Sequence, residues 1–138
     1  MIRILHIDND DDIRFLYEEE LTEEGYEVIG TSSCEGILDK IAKFSPSIIV
    51  FEPKVSKTDG LDILQRIRNT YYNIPVIIST ACSDLRYDPR SMAADYFVIK
   101  SFDLKGLKLR IKMALDCRKV FQTELAPETF KELPVVSF

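Results

Sequence analysis

Residues 46–64 read PSIIVFEPKVSKTDGLDIL, and this stretch decides the fold. Ser47 to Phe51 is apolar almost without alternation. Such a run suits a strand covered on both faces, as in a parallel sheet walled by helices. An acid, Glu52, follows at once, then a loop holding Pro53 and Asp59-Gly60. Leu61, Leu64 and Ile67 step by three, the spacing of one helix face, with Asp59 placed to open the helix. A buried strand, an acid at its end and an amphipathic helix make a repeating unit of an α/β fold.

The same unit recurs on both sides. Ile2 to Ile7, Pro75 to Ser79 and Tyr96 to Ile99 are similar apolar runs, and Tyr26 to Thr31 is a weaker one. Ile13, Leu16, Tyr17 and Leu21 mark a helix that Gly25 stops. Ile37, Leu38 and Ile41 mark another, with Ser32-Ser33 as capping candidates and Pro46 beyond its end. Leu104, Leu107, Ile111, Ala114 and Leu115 mark a long last helix. The fourth crossover, Ser83 to Ala93, has Pro89 in its middle, where a helix interior would lose about 3 kcal/mol. A short, broken or 3₁₀-like segment is expected there. Strands alternating with helices predict right-handed crossovers and a doubly wound parallel sheet.

In open parallel sheets, functional groups gather at the carboxyl ends of the strands. Those ends supply Asp8, Asn9 and Asp10, then Glu52, Thr80 and Lys100. Carboxylates with a carbonyl can hold a hard cation such as Mg²⁺. A hydroxyl and an ammonium can neutralise phosphoryl oxygens during in-line transfer. The residue types therefore point to a phosphate-and-divalent-cation site.

Four strings in order, ILHIDNDDDIRFL (4–16), PSIIVFEPKVSKTDGLDIL (46–64), IPVIISTA (74–81) and ADYFVIKSF (94–102), resemble the signature blocks of the CheY-like response-regulator receiver family. The resemblance covers roughly residues 2 to 120. It implies a flavodoxin-like α/β fold with five parallel strands ordered 2-1-3-4-5, and a cytoplasmic role in two-component phosphorelay signalling. It implies as partners a histidine kinase or a downstream effector, met through the face made by helix 4, strand 5 and helix 5. Carried over by position, Asp8 and Asn9 match the acidic pair that holds Mg²⁺, and Lys54 would give the third metal ligand by its backbone carbonyl. Glu52 stands at the phosphoacceptor aspartate and would join Asp8, Asn9 and Lys54 as a metal ligand. Thr80 matches the switch hydroxyl, Phe97 the aromatic rotamer switch, Lys100 the lysine of the KPF block, and Asp59-Gly60 the turn after the acceptor loop.

Departures from that pattern bear on function. Glu52 pushes its carboxylate one methylene further out, into space a phosphoryl group would fill, and in-line geometry is lost. Asn9 removes a negative charge and Lys54 adds a positive one, which weakens the metal site. Asp10 is a compensating acid only in part. Ser101 replaces the usual proline, and the stretch between Thr80 and Lys100 is short. The leading expectation is a pseudo-receiver, independent of phosphate or constitutively active-like, acting by protein–protein contacts with Glu52 paired to Lys100. The alternative is a functional phosphoacceptor that uses Glu52 or a nearby acid with Mg²⁺. Residues 1–120 form the receiver domain in this reading, and 121–138 a tail or linker that can dock.

Composition excludes other classes. The net charge of −5 leaves nucleic acid a poor partner for the molecule as a whole. Lys105, Lys108, Arg110, Lys112, Arg118 and Lys119, against Asp116, make the last helix basic; partner or homodimer contacts are the leading expectation, and contact with nucleic acid or anionic membrane the alternative. Three Cys without a CxxC pair suggest reduced thiols, and no apolar run is long enough for a membrane span. The sole histidine, His6, falls inside the first strand and is expected in the core or on a sheet face. Asp10, Asp11 and Asp12 lack the ligand spacing of an EF-hand and read as a helix start. Glu18 to Glu20 read as a solvated face, and Tyr71-Tyr72 as packing residues. Neither a Ser/His/Asp nor a Cys/His arrangement is present, nor a GxxxxGK[ST] loop, so no enzyme is expected.

Overall fold

Unbroken Val/Ile runs flanked by amphipathic segments leave one economical solution, a parallel sheet between two helical layers. The computed structural model describes residues 1–55 and 59–124, with side chains as far as Cys117 in the last helix. Its strands are β1 (Arg3–Ile7), β2 (Glu27–Thr31), β3 (Ile48–Phe51), β4 (Val76–Thr80) and β5 (Tyr96–Ile99). Its helices are α1 (Asp11–Glu23), α2 (Ile37–Phe44), α3 (Gly60–Thr70) and α4 (Lys105–Glu124). All strand pairs are parallel, in the order β2-β1-β3-β4-β5. Fold class and strand order agree with the sequence reading.

Two cores flank the sheet. Leu5, Ile7, Ile49, Phe51, Val76 and Ile78 meet α2 and α3 on one face. Ile4, Ile48, Val50 and Ile77 meet α1 and α4 on the other, with Tyr17, Leu21, Leu107 and Ile111. Alternation within the strands divides the two sets.

The fourth crossover holds two 3₁₀ turns, Ser83–Tyr87 and Pro89–Ala93, as Pro89 led us to expect. Arg90 fastens it to α3 with ion pairs to Asp59 and Asp62 at 2.5 and 2.9 Å. Asp59 also caps α3, accepting from the Leu61 amide. Gly60 is required by close approach, since a Cβ there would stand 1.8 Å from the Pro53 carbonyl oxygen.

Two expectations need correction. The serines do not cap α2: its N-cap is Gly36, at φ +63°, and Ser33 Oγ accepts from the Glu35 amide instead. That left-handed turn suits glycine, so the chain turns later than the serines suggested. Tyr71 packs on the core and donates to the Leu38 carbonyl, but Tyr72 is 72% exposed, because α3 has already ended. The tail assigned to 121–138 begins within the last turn of α4, and 125–138 lie outside the described residues.

Candidate functional site

The register brings the predicted residues to one edge. Ile7 lies opposite Phe51, Phe51 opposite Ile78, and Thr80 opposite Ile99. Asp8, Glu52, Thr80 and Lys100 therefore end or follow four adjacent strands. The Glu52 amide donates to the Ile7 carbonyl, and the Lys100 amide to the Thr80 carbonyl, both at 2.9 Å. Backbone pairing thus continues one residue into the site on each side.

Lys100 Nζ lies 2.7 Å from Asp8 Oδ2 and 3.0 Å from Glu52 Oε1. Asp8 is fully buried and Glu52 nearly so, while the Lys100 side chain keeps 14% of its surface. Burial alone would lower the lysine's pKa. The hydrogen bonds to Asp8 and Glu52 outweigh burial and hold it above its ordinary value. The second oxygen of each carboxylate is also used: Asp8 Oδ1 accepts from the Asp10 amide at 2.9 Å, and Glu52 Oε2 from the Lys54 amide at 3.2 Å.

The other sequence candidates divide. Thr80 is buried, its Oγ1 accepting from the Cys82 amide. Phe97, partly buried, packs against the core, with the Arg86 guanidinium 5.3 Å from its ring centre. Asn9 is exposed. Asp10 is exposed too, and its carboxylate caps α1 by accepting from the Ile13 amide. Lys54 sits in a 3₁₀ turn, Pro53–Val55, with its side chain in solvent. Among the described residues, no three His, Cys, Asp or Glu are grouped as metal ligands.

Beneath the carboxylates lies a polar layer that spacing alone did not disclose. His6 stacks on Tyr17 with ring centres 4.5 Å apart, and the Tyr17 hydroxyl bonds Ser79 Oγ at 2.7 Å. His6 Nε2 is 3.9 Å from Asp8 Oδ2, and neither ring nitrogen has a hydrogen-bond partner among the described residues. Burial, then the Lys100 and Arg14 charges, lower the His6 pKa to about 3. The expected core position of His6 is observed.

That shift has a testable sign. Above about pH 6.5 the ring is neutral folded and unfolded, and His6 adds no pH dependence. Between there and pH 3 only the unfolded chain takes up the proton. Stability then falls by about 1.4 kcal/mol per pH unit from this group alone. Urea unfolding across that range should show the wild type losing stability relative to His6→Leu as pH falls. Parallel curves would contradict the assignment.

A doubly wound sheet whose carboxyl edge joins two acids, a buried hydroxyl and a lysine is the architecture of a receiver. The chain belongs to the response regulator receiver domain family, whose model matches residues 4–112. It is similar to the "Probable transcriptional regulator ycf27" of Porphyra purpurea, 35% identical over 82% of this chain and 47% of that protein. The chain thus spans about half the length of the first curated relatives it matches. It is 30% identical to sporulation initiation phosphotransferase F of Bacillus subtilis, over 82% of this chain and 93% of that one. The structure of the response regulator TrrA from Thermotoga maritima, in complex with Mg²⁺ and BeF, superposes with a TM-score of 0.79 at 36% identity, covering 83% and 100% of the two chains. TrrA in complex with the histidine kinase ThkA gives a TM-score of 0.77 at 36% identity, covering 83% and 99%. The chain is therefore a receiver of two-component signalling. No helix among the described residues is long and apolar enough to cross a membrane.

Proposed function

We propose that this receiver signals without a phosphoryl group, held in an active-like arrangement by its own carboxylate. The observation that carries the reading is the 3.0 Å contact between Glu52 Oε1 and Lys100 Nζ. Glutamate reaches one methylene beyond aspartate, so its oxygen meets Lys100 in the direction where a phosphoryl oxygen on an aspartate would. Phe97, packed inward on the core, supports the same reading as a switch residue at rest in one state.

The donor set does not suit Mg²⁺. Lys100 already supplies positive charge to Asp8 and Glu52, Asn9 brings no charge, and Asp10 is committed to its helix cap. A hard dication with few anionic ligands binds weakly. TrrA, with its bound Mg²⁺, marks what the family site can hold. In this chain we assign that site a weakened affinity and no step of function.

The output then lies in contacts rather than chemistry, made in the cytoplasm with a histidine kinase or an effector, or with a second copy. The face of the two 3₁₀ turns, β5 and the start of α4 presents Tyr87, Met92 and Phe102, all at least 80% exposed. The reading places the partner's contacts on this face. The test is intact-mass analysis after incubation with acetyl phosphate and Mg²⁺. The protein should remain unmodified, and gain of one phosphoryl group would overturn the reading.

A further inference from the structure

The sheet has a second edge, far from β5, that phosphoacceptor chemistry does not explain. β2 pairs only with β1 among the described residues. The Glu27 amide donates to the Ile2 carbonyl, and the Thr31 carbonyl accepts from the Asp8 amide. Odd-numbered residues of β2 thus face β1, and parallel alternation turns the amides and carbonyls of Val28 and Gly30 outward. This edge holds no proline and a single charge, Glu27, at its start. It lacks the usual devices that keep an edge strand unpaired.

Beside that edge α2 leaves the sheet partly uncovered. Ile29, opposite Leu5 on the α2 side, is 46% exposed. A hollow of about 450 Å³ opens there, with Leu5, Ile29 and Phe44 among its walls and Lys40 and Lys43 at its rim. Arg3 is engaged with Glu27 at 3.0 Å and stacks over Phe44. Lys40 Nζ donates to the Thr31 hydroxyl at 2.8 Å. Neither Lys40 nor Lys43 has an ion pair among the described residues, in a chain of net charge −5.

We propose that the free edge of β2 receives an extended acidic peptide as a sixth strand. One apolar side chain enters the hollow beside Ile29, and acids on the same face meet Lys40 and Lys43. Main-chain bonds to Val28 and Gly30 supply affinity, while the hollow and the lysines supply selection, as in other cases of strand addition. This surface lies on the opposite side of the molecule's sheet order from the β5 face and acts independently of Glu52.

The test uses the full chain and two acetylated heptapeptides of threonine. One carries isoleucine flanked at alternate positions by two aspartates, and the other carries lysines in their place. The acidic peptide should slow hydrogen exchange at the Val28 and Gly30 amides, and the lysine peptide should not. K40E/K43E, with Lys43 exposed and Lys40 half-buried on the Thr31 hydroxyl, should weaken binding by about tenfold, circular dichroism at the assay temperature confirming that the variant is folded. Unprotected amides at saturating acidic peptide would overturn the proposal, as would equal binding by the double variant. Protection that grows with protein concentration in the absence of peptide would assign the edge to a second copy and overturn it too.

Discussion

Replacing Lys100 by Met should destabilise the protein by about 3 kcal/mol, because two carboxylates then lose their shared cation while staying buried. Asp8 is fully enclosed and the Glu52 side chain is 7% exposed, so neither can turn to water without moving the strand ends. The Asp10 and Lys54 amides still serve one oxygen of each, which keeps the loss at the lower end for a broken buried pair. Urea unfolding at neutral pH reads the change as a lower midpoint with an unaltered slope. Adding Glu52→Gln should restore part of the loss, since one uncompensated charge is removed. A loss under about 1 kcal/mol would show that the carboxylates reach solvent and that the ion pair is a surface one.

Glu52→Asp should convert the protein into a phosphoacceptor. Shortening the side chain by one methylene withdraws the carboxylate from the space above it and separates it from Lys100. The lysine then has room to meet an incoming phosphoryl oxygen, as does the buried Thr80. With acetyl phosphate and millimolar Mg²⁺, intact mass should show one added phosphoryl group on the variant. Adding Asn9→Asp should lower the Mg²⁺ needed, since it returns a negative charge to the exposed rim. If the variant stays unmodified even with that second change, glutamate is not what silences the site.

Much of this was legible in the chain. Unbroken runs such as Ile48 to Phe51 announce strands buried on both faces, and the residue after each run falls at the sheet's carboxyl edge by topology alone. Glu52 and Lys100, 48 residues apart, could be paired on paper for that reason. Pro89 likewise foretold that no regular helix spans the fourth crossover. What stayed hidden depends on long-range side-chain geometry. Tyr17 reads as one more apolar step of α1, yet its hydroxyl finds Ser79, 62 residues away, and its ring covers His6. Nothing in the spacing singles out Arg90, and only the folded crossover places it against Asp59 and Asp62. The serines before α2 carried a true capping signal that a left-handed Gly36 overrode. There one local preference, glycine's tolerance of a positive φ, prevailed over another.

In the proposed reading, Glu52 keeps the receiver in the arrangement a phosphoryl group would impose. Amide NMR spectra of three samples test it most directly: the wild type alone, Glu52→Asp alone, and Glu52→Asp with beryllofluoride and Mg²⁺. The wild-type resonances of Thr80, Phe97 and Lys100 should coincide with those of the beryllofluoride-loaded variant. Coincidence with the unloaded variant instead would contradict it, and Glu52 would then be a filled site without an imposed state.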